Sequence, residues 1–189
     1  VNSWVFSTAL TKNTVGQHAA FDPAKSTSFK MMDGSTWSIS YGDGSGAAGV
    51  VGLDTVEIGG VTATSQAVEL ATAVSQSFVR DVNNDGLVGL AFSNLNTVKP
   101  TKQTTFFDTV MPQLAAPVFS VDLTNDTTGT YEFGRIDQSR FTGQLATIPV
   151  NAKSGFWAVE STSFQVGTQK IQNAGASPAI AGKLIFFSY

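Results

Sequence analysis

Cysteine is absent from the 189 residues, and histidine occurs once, at position 18. The first absence excludes disulfides, thiolate metal sites and cysteine nucleophiles. The second excludes histidine-rich metal centres and leaves a serine–histidine–acid triad a single candidate base, His18. Charge is scarce too: Asp, Glu, Lys and Arg make up 13% of the chain, with a formal net charge of −3 and a pI near 5.0. Such a chain has no basic face for nucleic acid or anionic lipid. No run of about twenty apolar residues occurs, so no segment reads as a membrane-spanning helix. The opening Val1-Asn2-Ser3-Trp4 lacks the charged and apolar blocks of a signal peptide and has no initiator Met, which reads as a processed or partial chain. Ser and Thr replace charge as solvating groups, a composition common in secreted proteins that work in acid. With 42% hydrophobic residues the chain can bury a core of ordinary size.

The dominant rhythm is short alternating segments broken by Gly, Asp, Asn and Thr, which predicts strands and hairpins. Trp37 to Tyr41 alternates and runs into the turn Gly42-Asp43-Gly44-Ser45-Gly46. Val50 to Ile58 follows, closed by Gly59-Gly60, and Val61 to Glu69 reads as the next strand. Val118 to Leu123 and Tyr131 to Ile136 flank a polar tip, Thr124 to Thr130, and predict a further hairpin. Gly155 to Val159 and Ser163 to Gly167 read as two more strands. Helical spacing occurs in Phe106, Phe107, Val110, Met111 and Leu114, with Thr105 and Asp108 as a capping box and Pro112 expected to end the helix early. A second short helix is expected at 137–140, and 99–103 is the most loop-like stretch.

Several motifs resemble sites and read better as structure. Gly44 to Gly49 has the glycine spacing of a dinucleotide loop, but a strand-like segment follows where a helix N-terminus would have to cradle the pyrophosphate. Asp81 to Gly86 begins like a calcium loop, yet the twelfth position, which must close the shell with a carboxylate, is Phe92. No cofactor and no metal site is expected. His18 lies in a polar stretch and reads as a lone surface imidazole, and no Gly-x-Ser-x-Gly elbow offers it a nucleophile. Asn125-Asp126-Thr127 is a glycosylation acceptor on the expected hairpin tip.

The segment Trp37-Ser38-Ile39-Ser40-Tyr41-Gly42-Asp43-Gly44-Ser45 resembles the flap hairpin of the pepsin-like aspartic proteases, in their fungal form. Further stretches carry the resemblance from Trp4 to about Ala181: Trp4-Val5-Phe6-Ser7, Phe21-Asp22-Pro23, Asp85 to Phe92, Thr105 to Asp108, Thr130 to Gly134 and Gly155-Phe156-Trp157. The resemblance implies an all-β, pepsin-like fold in which 1–117 is most of the N-terminal lobe, missing its first strands. Residues 118–181 would be the inter-lobe strands and the start of the C-terminal lobe, and 182–189 an apolar tail outside the family pattern. It also implies secretion, and peptides or pepstatin-like inhibitors as ligands. The implied substrate-binding residues are Tyr41, with its hydroxyl reaching the Trp4 indole, Gly42, Asp43 and Ser45 of the flap, and Phe78 and Leu87 in the pocket beside it.

The family's chemistry needs two aspartates, each in an Asp-Thr-Gly or Asp-Ser-Gly loop. One acts as general base on a water while the other, protonated, polarises the scissile carbonyl. Neither tripeptide occurs in the chain. By the resemblance, the first would precede Trp4 and the second would follow Ala181, where Gly182-Lys183-Leu184 stands instead and reads as translation into a retained intron. Asp33, Asp43, Asp54, Asp81, Asp85 and Asp108 have no spacing that forces two together. Three readings follow: a non-catalytic pepsin homologue that still binds peptides, a fragment of an active endopeptidase completed by another chain, and a binding or decoy module with no peptide ligand. Exposed strand edges in a shortened fold lead us to expect self-association, by a homodimer or exchange of terminal segments, or else marginal stability, with 184–187 as the patch that fills a vacated sheet position.

Overall fold

A computed structural model describes residues 1–180 and 185–187, with side chains through residue 172. Among these residues ten strands appear in chain order. They are β1 (Trp4–Phe6), β2 (Lys30–Ser40), β3 (Gly46–Ile58), β4 (Val61–Val74), β5 (Gly86–Val88), β6 (Phe119–Asp122), β7 (Thr130–Phe133), β8 (Ala158–Val166), β9 (Gln169–Ile180) and β10 (Ile185–Phe187). Six of them form one sheet in the order β10-β5-β1-β4-β3-β2, while β6–β7 and β8–β9 are separate two-stranded hairpins.

The long β2–β3–β4 meander follows from its turns. Gly44 at one tip has φ +82°, and Gly59 and Gly60 at the other have +61° and +77°, a left-handed backbone that glycine adopts without steric cost. Gly49 has a different task. A Cβ there would lie 1.9 Å from the Leu70 carbonyl oxygen, so only glycine lets β3 close on β4 beside the register shift at Ala48/Gly49. β1 runs parallel to β4 and antiparallel to β5, pairing Trp4 with both Glu69 and Leu87. A three-residue strand thus sits inside the sheet, and Trp4 and Phe6 are fully buried with Trp37, Val51, Ala71, Phe78, Leu87 and Val98.

A second core gathers Ala63, Phe106 and Val110 beneath the β3–β4 tip, with Phe133 from β7 packed on it. The helical stripe is helix as predicted: α1 (Lys12–Val15) and α2 (Gln76–Arg80) precede it, and α3 (Phe106–Val110) gives way at once to a 3₁₀ turn, Met111–Gln113, that contains Pro112. The capping box is half made. Thr105 Oγ1 accepts from the Asp108 N–H at 3.1 Å, but the Thr105 N–H goes to Ser93 Oγ, whose hydroxyl also donates to the Asp108 carboxylate.

Two expectations change, and two more hold with added detail. His18 is 6% exposed rather than a surface group; its ring stacks on Phe6 with centroids 4.0 Å apart. The strands expected at 155–159 and 163–167 are one strand, β8, irregular between Ser161 and Ser163. The loop at 99–103 begins with a bridge, Lys99 pairing with Thr36. At 137–140 the turn is 3₁₀, Gln138–Arg140, capped by Asp137. Of the tail, Ile185–Phe187 pairs antiparallel with β5; Gly182, Lys183 and Leu184 lie outside the described residues.

Candidate functional site

The β2–β3 hairpin turns tightly because Asp43 organises it. Its Oδ1 accepts from the Ser45 N–H at 2.9 Å and from Ser45 Oγ at 2.7 Å. These donors hold the carboxyl below its ordinary range, the hydroxyl contributing most. Tyr41 N–H donates to the Ser45 carbonyl and Gly44 N–H to the Tyr41 carbonyl, closing the turn. Just behind the turn, Gly46 N–H meets Ser75 Oγ at 3.2 Å, and Ser75 N–H returns to the Gly46 carbonyl. Ser75 caps α2, so the hairpin and the helix bearing Phe78 are tied together.

Tyr41 leaves the end of β2 over the middle of the sheet. The Trp4 indole N–H donates to its hydroxyl at 2.8 Å. Phe78 stands edge-on to both rings, 5.0 Å from Trp4 and 5.7 Å from Tyr41. Trp37 stacks on Trp4 at 5.9 Å and anchors its own N–H on the Val50 carbonyl. Leu87 lies opposite Trp4 on β5. The structure therefore brings Trp4, Tyr41, Phe78 and Leu87 together around one apolar cluster, with Gly42, Asp43 and Ser45 on the hairpin above it. Burial pushes the Tyr41 hydroxyl up to about 12, opposed by the Trp4 bond and reinforced by the charges of Glu69 and Asp43. It stays neutral, a donor and acceptor, from acid to well above neutral pH.

Trp37 and Glu69 complete the surroundings and were not singled out from the sequence. Trp37 had a signal, its place in the alternating run before the turn. Glu69 had a subtler one: a lone carboxylate inside the apolar run 67–71 of β4. It is 2% exposed and accepts from Asn2 Nδ2 at 2.6 Å and Asn96 Nδ2 at 2.9 Å. Burial pushes this carboxyl up to about 7, the asparagine bonds opposing.

His18 buttresses the pocket from below. Nδ1 faces Asp85 Oδ1 at 3.2 Å and Nε2 faces the Val79 carbonyl of α2 at 3.1 Å, so one ring links the helix of Phe78 to the turn that leads into Leu87. Asp85 also accepts from Ala19 N–H, and Asp54 accepts from Ser26, Ser28 and Thr55 N–H. Asp81 to Gly86 is a turn, Asn84 Oδ1 capping the Gly86 N–H at 3.1 Å. Among the described residues no cluster of three His, Asp or Glu side chains could hold a metal ion, and no helix is long and apolar enough to cross a membrane.

The sequence has counterparts among known proteins. Residues 1–182 match the family model described as eukaryotic aspartyl protease. The chain is 51% identical to penicillopepsin-1 of Penicillium rubens over 179 residues, 95% of this chain and 43% of that protein. It is 52% identical to aspergillopepsin-1 of Aspergillus oryzae over 171 residues, 90% and 42% of the two chains. With endothiapepsin of Cryphonectria parasitica it shares 51% over 165 residues, 87% and 39%. The chain thus spans less than half the length of these relatives, and it belongs to the eukaryotic aspartyl protease family.

Proposed function

We propose that this chain is a non-catalytic, flap-bearing homologue of the secreted pepsin-like aspartic endopeptidases. Residues 1–117 are its first lobe and 118–181 the link into the second. In this reading the flap takes an extended peptide: the backbone groups of Gly42 and Asp43 and the side chains of Asp43 and Ser45 face it, and Phe78 and Leu87 line the apolar pocket beside it. The observation that carries the reading is the Trp4–Tyr41 hydrogen bond, which fixes the flap hairpin over the sheet. A flap that folds with these 189 residues can retain weak affinity for a peptide even where no bond is cut.

A few backbone hydrogen bonds and one apolar pocket supply on the order of −4 kcal/mol, a Kd of about 1 mM. Titration with a pepstatin-like statine peptide should therefore move the Trp4 indole signal in ¹H–¹⁵N NMR at millimolar concentration, the signal being assigned by its loss in Trp4→Phe. A Trp4 indole that stays still under saturating peptide would remove the flap reading.

The 189-residue polypeptide encodes neither aspartate loop, and we propose that it does not cleave peptide bonds by itself. A second reading is favoured by one observation, the 43% span of penicillopepsin-1: the same residues serve as a piece of a longer active enzyme whose other segments bring both aspartates. Intact mass of the native material separates the two, a single 19.8 kDa species supporting the first.

Asn125 is proposed as a glycan site. It is exposed at the β6–β7 tip, two residues from Leu123, which is 68% exposed, and a glycan would shield that apolar side chain. Material secreted from a yeast host should lose mass on endoglycosidase treatment, and Asn125→Gln should not; an unmodified wild-type mass would contradict the assignment.

A further inference from the structure

Glu69 has no part in the peptide site described above, yet it is among the most deeply buried side chains of the chain and sits one ladder position from its centre. It pairs with Trp4 across the β1–β4 ladder, and its N–H donates to the Ser3 carbonyl at 3.2 Å. Its carboxylate is a hub. Oε2 takes Asn2 Nδ2 and Oε1 takes Asn96 Nδ2, and the Ser3 backbone N–H also favours the ionised form. Both asparagines are locked the right way round. Asn2 Oδ1 accepts from Thr97 N–H at 3.1 Å, while Asn96 Oδ1 accepts from Val98 N–H at 3.1 Å and Gln103 N–H at 2.8 Å. Neither amide can flip without breaking these bonds, so both present N–H donors to the carboxyl.

We propose that Glu69 is a positioning residue for the flap site, and that its protonation decides how firmly the segment Val1–Ser3 holds Trp4, and through it Tyr41, in place. The proposal rests on the flap reading for its functional consequence. Two effects compete at this carboxyl. The ionised group satisfies every surrounding donor but carries a charge in the core; the protonated group sheds that charge but turns a hydroxyl towards an N–H, losing one contact. Burial dominates, which is why the group is pushed up to about 7 from its ordinary 4.5. The other titratable groups facing it are the Val1 nitrogen, whose charge favours the ionised carboxyl but which burial lowers to about 6, so that it is mostly neutral where Glu69 ionises, and the Tyr41 hydroxyl, which stays neutral.

The sign follows from linkage. A carboxyl raised on folding stabilises the fold fully below about 4.5, and that contribution is lost as pH rises through about 7. Above neutrality the buried charge is relieved by admitting water between β1 and β4, which loosens Asn2, Ser3 and the Trp4 indole together. The flap is firmly seated in acid and released in weak alkali.

The test is NMR on the full 189-residue chain from pH 4 to 9, following the Glu69 side-chain carboxyl carbon and the Trp4 indole N–H in wild type, Glu69→Gln and Asn96→Ala. The carboxyl carbon should titrate near neutrality, with the indole N–H losing protection at the same midpoint. Glu69→Gln, which mimics the protonated group, should show an indole signal flat with pH, and Asn96→Ala should move the midpoint up by removing a donor to the ionised form. A carboxyl carbon that titrates below pH 5 overturns the proposal, as does an unchanged indole midpoint in Glu69→Gln. The wild-type carboxyl measurement decides the matter even if a variant fails to fold. A statine peptide that fails to bind at every pH would instead remove the flap reading, leaving the Glu69 titration intact.

Discussion

Replacing Trp4 with alanine should cost this chain about 3–5 kcal/mol, a large share of the roughly 5–15 kcal/mol that holds a domain folded. The ring is 1% exposed and touches every part of the site: Trp37 stacked on one side, Phe78 edge-on, Phe6 at 5.9 Å, and Tyr41 on its N–H. Its neighbours belong to β1, β2 and α2, so the cavity left behind cannot close by the shift of one side chain. Trp4→Phe separates packing from hydrogen bonding. It keeps most of the aromatic contact and removes only the donor to Tyr41, at about 1 kcal/mol. Because that bond lowers the Tyr41 ionisation, its loss moves the hydroxyl still higher. Urea unfolding followed by near-ultraviolet circular dichroism checks both variants. A loss below about 1 kcal/mol in Trp4→Ala would show that the cluster is not the core of the fold.

Why the flap was legible in the sequence and its supports were not has a physical explanation. The hairpin from Trp37 to Gly46 declares itself through local chemistry, period-two alternation running into a turn of Gly, Asp and Ser. The same holds for α3, where capping residue, apolar stripe and Pro112 are all local. Glu69 and His18 depend on partners far along the chain, Asn2 and Asn96 for one, Asp85 and Val79 for the other. The polar stretch around His18 suggested solvent. Only the parallel packing of β1 on β4, with α2 closing over the ring, turns that imidazole into a buried strut. The register of β1, three residues long, was likewise beyond any periodicity argument, since a strand so short shows no pattern. Its place in the sheet comes from long-range contacts with Glu69 and Leu87.

The largest effect concerns turnover. Pepsin-like catalysis needs one carboxylate as base and one carboxylic acid as electrophile, held so close that their proton affinities split. Three of this chain's aspartates are engaged in structure: Asp43 shapes the flap turn, Asp54 clamps the Ser26–Ser28 loop and Asp85 braces His18. None stands in an Asp-Thr-Gly or Asp-Ser-Gly loop. A lone carboxyl cannot be base and acid in one protonation state, and the preorganised donors that stabilise the developing charge belong to the same two loops. Turnover by this polypeptide should therefore lie at least about a millionfold below that of a complete enzyme of the family. Restoring a single aspartate loop would leave it there.

The direct measurement is hydrolysis of acid-denatured protein by the homogeneous 189-residue chain, at high enzyme concentration, with and without pepstatin. Cleavage no faster than the buffer blank, unaltered by the inhibitor, is the expected result. Cleavage above the blank that pepstatin abolishes would mean that these residues assemble a carboxylate pair without either loop, and the account of the site given above would be wrong.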